Sequence, residues 1–382
     1  MKQIASRILE ALLPFAAVGA ALILGALMLA VLNVNPLLAY QSMAQGAFGS
    51  LSGITQTLTK ATPLLLVGLG IAIAFRARMI NIGGEGQLIV GTLATTAVAL
   101  ALRDLPGVLL LPLAALAGAG AGGVWAFIPG ILKARLGANE ILTTVMLNAI
   151  ALQLMLLLLS EPTLMLDPAQ VAAGTNIPQS DRVPQHVWLP RLVPQTLFHA
   201  GFIVALVLAV LVYVLLWRTT WGYRIRAIGE NPHAARYAGI SVPRYMTLAM
   251  TLSGMFCGLA GAFEVLGVHR RVVEGISGGY GFNGIVVALF GGLHPLGVIP
   301  SSMLFGALLV GADKMQRDVQ VPAALITALN GLIVLFVVGS AYWVQRRSDR
   351  RKAIQTARQL ERHAPAAELA PAAPANEVEV RS

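Results

Sequence analysis

Residues 141–160 read Ile-Leu-Thr-Thr-Val-Met-Leu-Asn-Ala-Ile-Ala-Leu-Gln-Leu-Met-Leu-Leu-Leu-Leu-Ser and carry no charge. A run of about 20 apolar residues crosses the hydrocarbon of a bilayer as a helix. Leu12–Leu32 and Val321–Val344 are uncharged in the same way. The whole chain agrees with these runs. Of its 382 residues 57% are hydrophobic and only 12% are charged, and the mean hydropathy is +0.74. A water-soluble domain carries about a quarter charged residues, so this chain lacks the polar surface to coat a soluble globule. The reading is an all-α, polytopic integral membrane protein.

About ten membrane helices are expected, near 12–32, 61–76, 86–102, 107–129, 138–160, 200–217, 245–265, 281–292, 295–312 and 321–344. Met1 to about Leu32 reads as an uncleaved first span, because its apolar run is longer than the core of a signal peptide. The formal charge of +10 does not indicate nucleic acid. The basic residues sit in short segments between apolar runs, as in positive-inside loops. With the N-terminus inside, Lys2, Arg7, Arg76, Arg78, Lys133, Arg135, Arg218, Arg224, Arg226, Arg236 and Arg244 face the cytoplasm, as does the basic tail after Arg346. Lys60, Arg103, Arg182, Arg191, Arg270, Arg271, Lys314 and Arg317 remain outside. Both termini are therefore expected in the cytoplasm of a bacterial plasma membrane.

Residues 1–345 form the membrane domain in this reading. They include a Pro-rich extracytoplasmic loop at 161–198 and a basic cytoplasmic loop at 218–244. Residues 346–382 become rich in Ala, Pro and Glu and read as a disordered tail. Cys257, the single cysteine, lies in an apolar run and reads as a small packed residue.

Several chemistries are missing. None of the lysines follows a glycine, so the chain has no P-loop. The six histidines form no His-Glu-x-x-His pair. No catalytic residue, metal site or cofactor is expected, and any ATP must be hydrolysed by another chain. The acids near the spans are Glu85, Glu140, Glu264 and Asp313. Ionisable groups there are functional candidates, yet all four lie near span ends, where a carboxylate can reach water.

Glycine interrupts the chain twice in comparable places: Gly83, Gly84 and Gly86 after the second span, and Gly278, Gly279, Gly281 and Gly284 after the seventh. The second span runs inward and the seventh outward, so the two halves would be inverted, with broken helices at a midplane site. Close helix packing is the other reading of the same glycines.

Four stretches together resemble the permease family serving branched-chain amino acids, ribose and nucleosides. They are Asn81-Ile82-Gly83-Gly84-Glu85-Gly86-Gln87; Gly137-Ala138-Asn139-Glu140-Ile141-Leu142-Thr143-Thr144 followed by Met146-Leu147-Asn148; Arg226-Ala227-Ile228-Gly229-Glu230-Asn231-Pro232 with Ala234-Ala235 and Gly239; and Gly278-Gly279-Tyr280-Gly281-Phe282-Asn283-Gly284-Ile285. The first stretch looks most like the nucleoside and simple-sugar branch. The resemblance implies a subunit of an ABC importer that carries such a solute inward. Its implied partners are a cytoplasmic ATPase, a second, different permease chain and an extracytoplasmic substrate-binding lipoprotein. An ion- or proton-coupled secondary transporter is the alternative.

Asn81, Gly83, Gly84, Glu85, Gln87, Glu140, Asn148 and Asn283 are the expected substrate pathway. Glu230, Asn231, Pro232, Ala234, Ala235, Arg236 and Gly239 are the expected coupling element. Asn231 is a good N-cap, Pro232 suits the first helical position, and Gly239 can end the helix in the left-handed region. A helix of about seven residues is too short to stand alone in water, so it needs a surface to pack on. In the family it resembles, that surface is a cleft of the ATPase.

Overall fold

The computed structural model describes residues 19–320 apart from Ala21, Leu32, 162–164, Ala173 and Asn176, together with Ala328, Gly331, Leu332, Leu335, Phe336 and Gly339. The helices are α1 (Leu22–Val31), α2 (Pro36–Phe48), α3 (Leu51–Arg76), α4 (Gly84–Ala101), α5 (Gly107–Leu136), α6 (Glu140–Ser160), α7 (Pro168–Ala172), α8 (Gly201–Arg218), α9 (Thr220–Glu230), α10 (Pro232–Tyr237), α11 (Val242–Phe263), α12 (Tyr280–Phe290) and α13 (Pro295–Val319). A π-helical turn, Glu264–His269, extends α11. Among the described residues β structure is limited to isolated bridges.

Among the described residues six helices are long and apolar enough to cross a membrane: α3, α5, α6, α8, α13 and α11 with its π turn. The expected arrangement of ten spans in two inverted halves is not confirmed. The expected spans at 86–102 and 281–292 correspond to α4, which opens with Gly-Glu-Gly-Gln, and to α12, which has only 11 residues. That at 12–32 is described in part, as α1, a ten-residue apolar helix, whereas 321–344 and the tail at 346–382 fall largely or wholly outside the described residues.

Small residues set the core. α11 packs against α3, α4 and α5, and glycines let the backbones approach. A Cβ on Gly91 of α4 would lie 2.5 Å from Gly258 Cα, and one on Gly258 would lie 2.2 Å from the Gly118 carbonyl oxygen of α5. Lipid supplies no hydrophobic drive between helices, so close packing of this kind is what holds them. Conversely, Leu109, Leu116, Leu157, Val207 and Leu211 point outward from α5, α6 and α8 and are exposed. Apolar surface on that scale suits lipid and not water.

The loop at 161–198 is less free than its composition suggests. Its described part packs over the C-terminal end of α11. Leu189 N–H donates to Leu266 O, Ser180 N–H to Val272 O and Val183 N–H to Arg270 O, each at 2.9 Å. Arg270 lies 3.8 Å from the centre of the Trp188 ring, and Arg271 is 3.7 Å from the Asp167 carboxylate. The loop is a cap over the π turn.

Candidate functional site

α3 ends at Arg76, and the chain returns through the non-helical segment 77–83 before α4 begins. This backbone must find partners inside the protein, because lipid offers none. The amides of Ala77, Arg78 and Met79 bond back to carbonyls at the end of α3, and Asn81, which is fully buried, holds the rest of the turn. Its Nδ2 donates to Ser253 Oγ at 2.8 Å and to Gln87 Oε1 at 2.9 Å. Its Oδ1 accepts from Gly83 N–H at 2.9 Å and from Gln87 Nε2 at 3.0 Å. Asn148 of α6 completes the clasp, since its Oδ1 accepts from Gly86 N–H at 2.8 Å and its Nδ2 donates to Ile82 O at 2.9 Å. Ser253 lies about 16 Å along α11 from Val242 at 1.5 Å per residue. The start of α4 is therefore held deep in the helical layer.

α12 begins at the same depth. Gly278 and Gly279 have φ of +50° and +73°, which L-residues with side chains seldom adopt, and they turn the chain into the helix. Gly281 N–H then donates to Glu85 Oε2 at 2.8 Å. A carboxylate at a helix N-terminus is favoured by the free amides and the helix dipole, and Glu85 serves α12 this way while standing in the first turn of α4. A Cβ on Gly281 would be 2.2 Å from the Glu85 nitrogen, and one on Gly84 would be 3.3 Å from the Gly281 oxygen. The two glycine breaks thus meet, and the N-termini of two short helices face each other.

The structure brings Asn81, Gly83, Gly84, Glu85, Gln87 and Asn148 together. Asn283 stands in the first turn of α12, half-buried, and among the described residues its amide has no hydrogen-bond partner. Glu140 is not part of the junction. It is buried at the start of α6 and pairs with Lys133 of α5 at 2.9 Å.

The basic loop at 218–244 forms a helical hairpin, α9 and α10. Asn231 caps α10, its Oδ1 accepting from His233 N–H at 3.0 Å and Ala234 N–H at 3.1 Å. Pro232 is the first helical residue, and Gly239 has φ +77°. The helix has six residues. Ala235 is buried within the chain, whereas Glu230, Ala234, Arg236 and Tyr237 are exposed, Tyr237 at 94%. The outward face is therefore Ala234, Arg236 and Tyr237, and Ala235 anchors the helix from beneath.

Two further clusters join residues that the sequence does not show to be together. At the base of the hairpin, Trp217 lies between Arg76 at 5.2 Å and Arg226 at 5.5 Å, with the His294 ring 4.7 Å away. Arg76 Nε donates to Leu293 O at 3.1 Å, and Gly229 sits so close to Arg76 that a Cβ there would be 2.1 Å from its carbonyl oxygen. This cluster ties α9 to the ends of α3 and α8 and to the α12–α13 turn. The second cluster is Glu264 with His269, 3.4 Å apart in the π turn. Glu264 is 2% exposed, because the 161–198 cap covers the end of α11. The expectation that this carboxylate reaches water at a span end is corrected accordingly. Asp313, by contrast, is half exposed and pairs with Lys60. Glu264 and His269 line a cavity of about 310 Å³ with Gln56, Lys60 and Tyr280. π turns recur at functional sites, but nothing in the local sequence announces one here.

Crossing helices with lipid-facing exteriors, a buried pair of helix breaks and a protruding basic hairpin define a multi-pass membrane transport component. The family model described as branched-chain amino acid transport system / permease component matches residues 53–338, and the chain belongs to that family. It is 38% identical over 335 residues to the guanosine ABC transporter permease protein NupP of Bacillus subtilis, covering 87% of this chain and 94% of the relative. It is 37% identical to the glucose ABC transporter permease protein TsgB13 of Haloferax volcanii, covering 87% and 88%. It is 32% identical to the nucleoside ABC transporter permease protein NupB of Lactococcus lactis, covering 86% and 90%. No solved structure matches the chain.

Proposed function

We propose that this chain is the membrane-spanning permease of an ABC importer that moves a nucleoside or a simple-sugar-like solute inward. ATP is hydrolysed by a partner ATPase, and the chain itself catalyses no reaction. The observation that carries the reading is near end-to-end similarity to permeases named for guanosine, nucleosides and glucose. A second, different permease chain and an extracytoplasmic binding lipoprotein complete the assembly. Both termini lie in the cytoplasm.

The geometry suits this role. The ATPase docks on the exposed face of α10, namely Ala234, Arg236 and Tyr237. Movement of the hairpin passes through Arg76, Trp217 and Leu293 to α12. The far end of α12 holds the hydrogen bond between Gly281 and Glu85, so displacing α12 opens or closes the junction of the two broken helices. The junction lies on the substrate pathway. Asn283 offers there an amide that has no partner among the described residues, and Asn81, Gln87 and Asn148 hold the backbone in shape.

The test is uptake in proteoliposomes that contain this chain, its ATPase, the second permease and the lipoprotein. ATP inside the ATPase-facing compartment should drive accumulation of labelled guanosine, uridine or glucose, and the permease chain alone should hydrolyse no ATP. Accumulation by this chain alone under a proton or sodium gradient would identify a secondary transporter instead.

A further inference from the structure

The cavity between α5, α9 and the start of α11 has a volume of about 670 Å³ and belongs to neither the helix junction nor the exposed face of α10. Three arginines line it: Arg135 at the end of α5, Arg224 on α9 and Arg244 in the first turn of α11. No carboxylate is among its lining residues, and among the described residues none of the three arginines is in an ion pair. Arg224 is held in place, since it donates to the Tyr245 hydroxyl and lies 5.5 Å from the centre of the Tyr245 ring. All three are exposed at the mouth of the cavity, where water and salt screen their mutual repulsion and a bound anion relieves it.

The lining is graded along the helices. Phe127 lies two turns back along α5 from Arg135, and Thr251 two turns along α11 from Arg244, each about 10–12 Å away at 1.5 Å per residue. Phe127, Ile131 and Leu248 are apolar, and the Thr247 and Thr251 hydroxyls donate to Gly130 O and Thr247 O, so the wall changes from guanidinium to largely apolar over the distance that separates a phospholipid headgroup from its acyl chains. Trp221, at 52% exposure, stands beside the arginines, where an amphipathic ring suits the membrane–water boundary. Phe127 and Val124 continue the apolar wall outward, at 43% and 66% exposure. A cytoplasmic protein cannot follow the cavity to that depth, but a lipid can.

We propose that this cavity binds one anionic phospholipid, its phosphate among Arg135, Arg224 and Arg244 and an acyl chain along Phe127 and Thr251. Basic pockets between membrane helices recognise anionic headgroups in this way. The lipid fills the gap between α5 and α9 and so braces the base of the α9–α10 hairpin. The inference needs only that this end of the helices lies at a membrane surface, and it stands whatever solute the chain carries.

The assembled transporter, purified with residual lipid, provides the test by native mass spectrometry during titration with phosphatidylglycerol or phosphatidylcholine. One phosphatidylglycerol should be retained per chain in preference to phosphatidylcholine. The double variant Arg135→Gln/Arg244→Gln, which leaves Arg224 and Tyr245 intact, should bind it about thirtyfold more weakly at roughly 1 kcal/mol per arginine near the surface. Its unchanged elution in size-exclusion chromatography would show that the fold survives. Inorganic phosphate at 50 mM should leave the bound lipid in place. The proposal fails if the two lipids are retained equally, if the double variant binds as the parent does, or if phosphate alone displaces the lipid. It also fails if a cysteine introduced by Phe127→Cys crosslinks two permease chains, because a second chain would then occupy the groove.

Discussion

The helix junction and the α9–α10 hairpin are both built from small polar residues and glycine, yet they end in opposite conditions. At the junction, Asn81, Gln87 and Asn148 spend their amides on one another, on Ser253 and on the backbone of 82–86. On the hairpin, Asn231 caps the helix and Ala235 anchors it, while Ala234, Arg236 and Tyr237 face outward with nothing against them among the described residues. The difference follows from solvent. Non-helical backbone deep among membrane helices must be satisfied internally, whereas a short helix in water needs a neighbouring surface to be worth forming. The first region is closed on itself, and the second offers the exposed face on which we propose that the ATPase docks.

The comparison breaks most sharply at Gly281. Gly281→Val would place a branched side chain against the Glu85 backbone at a point already 2.2 Å from an added Cβ. Folded protein should fall at least tenfold, measured by size-exclusion chromatography of a fluorescent fusion. Normal yield would mean that the two helix starts do not meet.

The hairpin should behave in the opposite way. Ala234→Arg lies on an exposed face, so yield and melting temperature should stay within error while ATP-driven uptake falls at least tenfold. Full uptake would remove α10 as the docking element. Ala235→Arg is a poorer probe, because burial of Ala235 mixes loss of docking with loss of packing.

The junction between the 161–198 cap and α8 supplies an intermediate case with a pH signature. His199 is buried and accepts from Gly201 N–H through Nδ1 at 3.1 Å, at the start of α8. Burial pushes its pKa down from 6.5 to about 4. The unfolded chain therefore binds the proton more readily between those values, and stability is complete above about pH 6.5 and lost as pH falls toward 4. The loss from this group is about 3 kcal/mol. His199→Asn keeps an acceptor for Gly201 and should flatten the pH dependence of thermal unfolding between pH 7 and 4.5. An identical slope in both proteins would clear His199 of the effect.

The smallest effects separate structure from passage within the junction itself. Asn148→Ala leaves Gly86 N–H and Ile82 O without partners and should cost about 1–2 kcal/mol of stability. Asn283→Ala removes an amide with no partner among the described residues, so stability should change by less than about 0.5 kcal/mol, while uptake falls severalfold. Equal losses of stability in the two variants would contradict the division of labour between them.

Much of this was legible in the sequence. Uncharged runs such as 141–160 dictate helices in lipid because no other local structure satisfies its own backbone there. The Asn231-Pro232 start and Gly239 end of α10 are local rules of capping and left-handed geometry, and they hold to within one residue. The glycine breaks were also visible, since a helix that loses its side chains at several adjacent positions is marked wherever it occurs. Tertiary structure alone decided that the two breaks meet through Glu85 and Gly281, that Asn81 bonds Ser253, and that Arg76, Trp217, Arg226 and His294 form one cluster. It alone decided that Glu264 is buried under the 161–198 cap and that Ala235, not Ala234, turns inward. Each of those facts joins residues far apart in the chain or selects one face of a helix. Composition and spacing describe a segment in isolation, whereas burial and pairing depend on which distant segment arrives beside it.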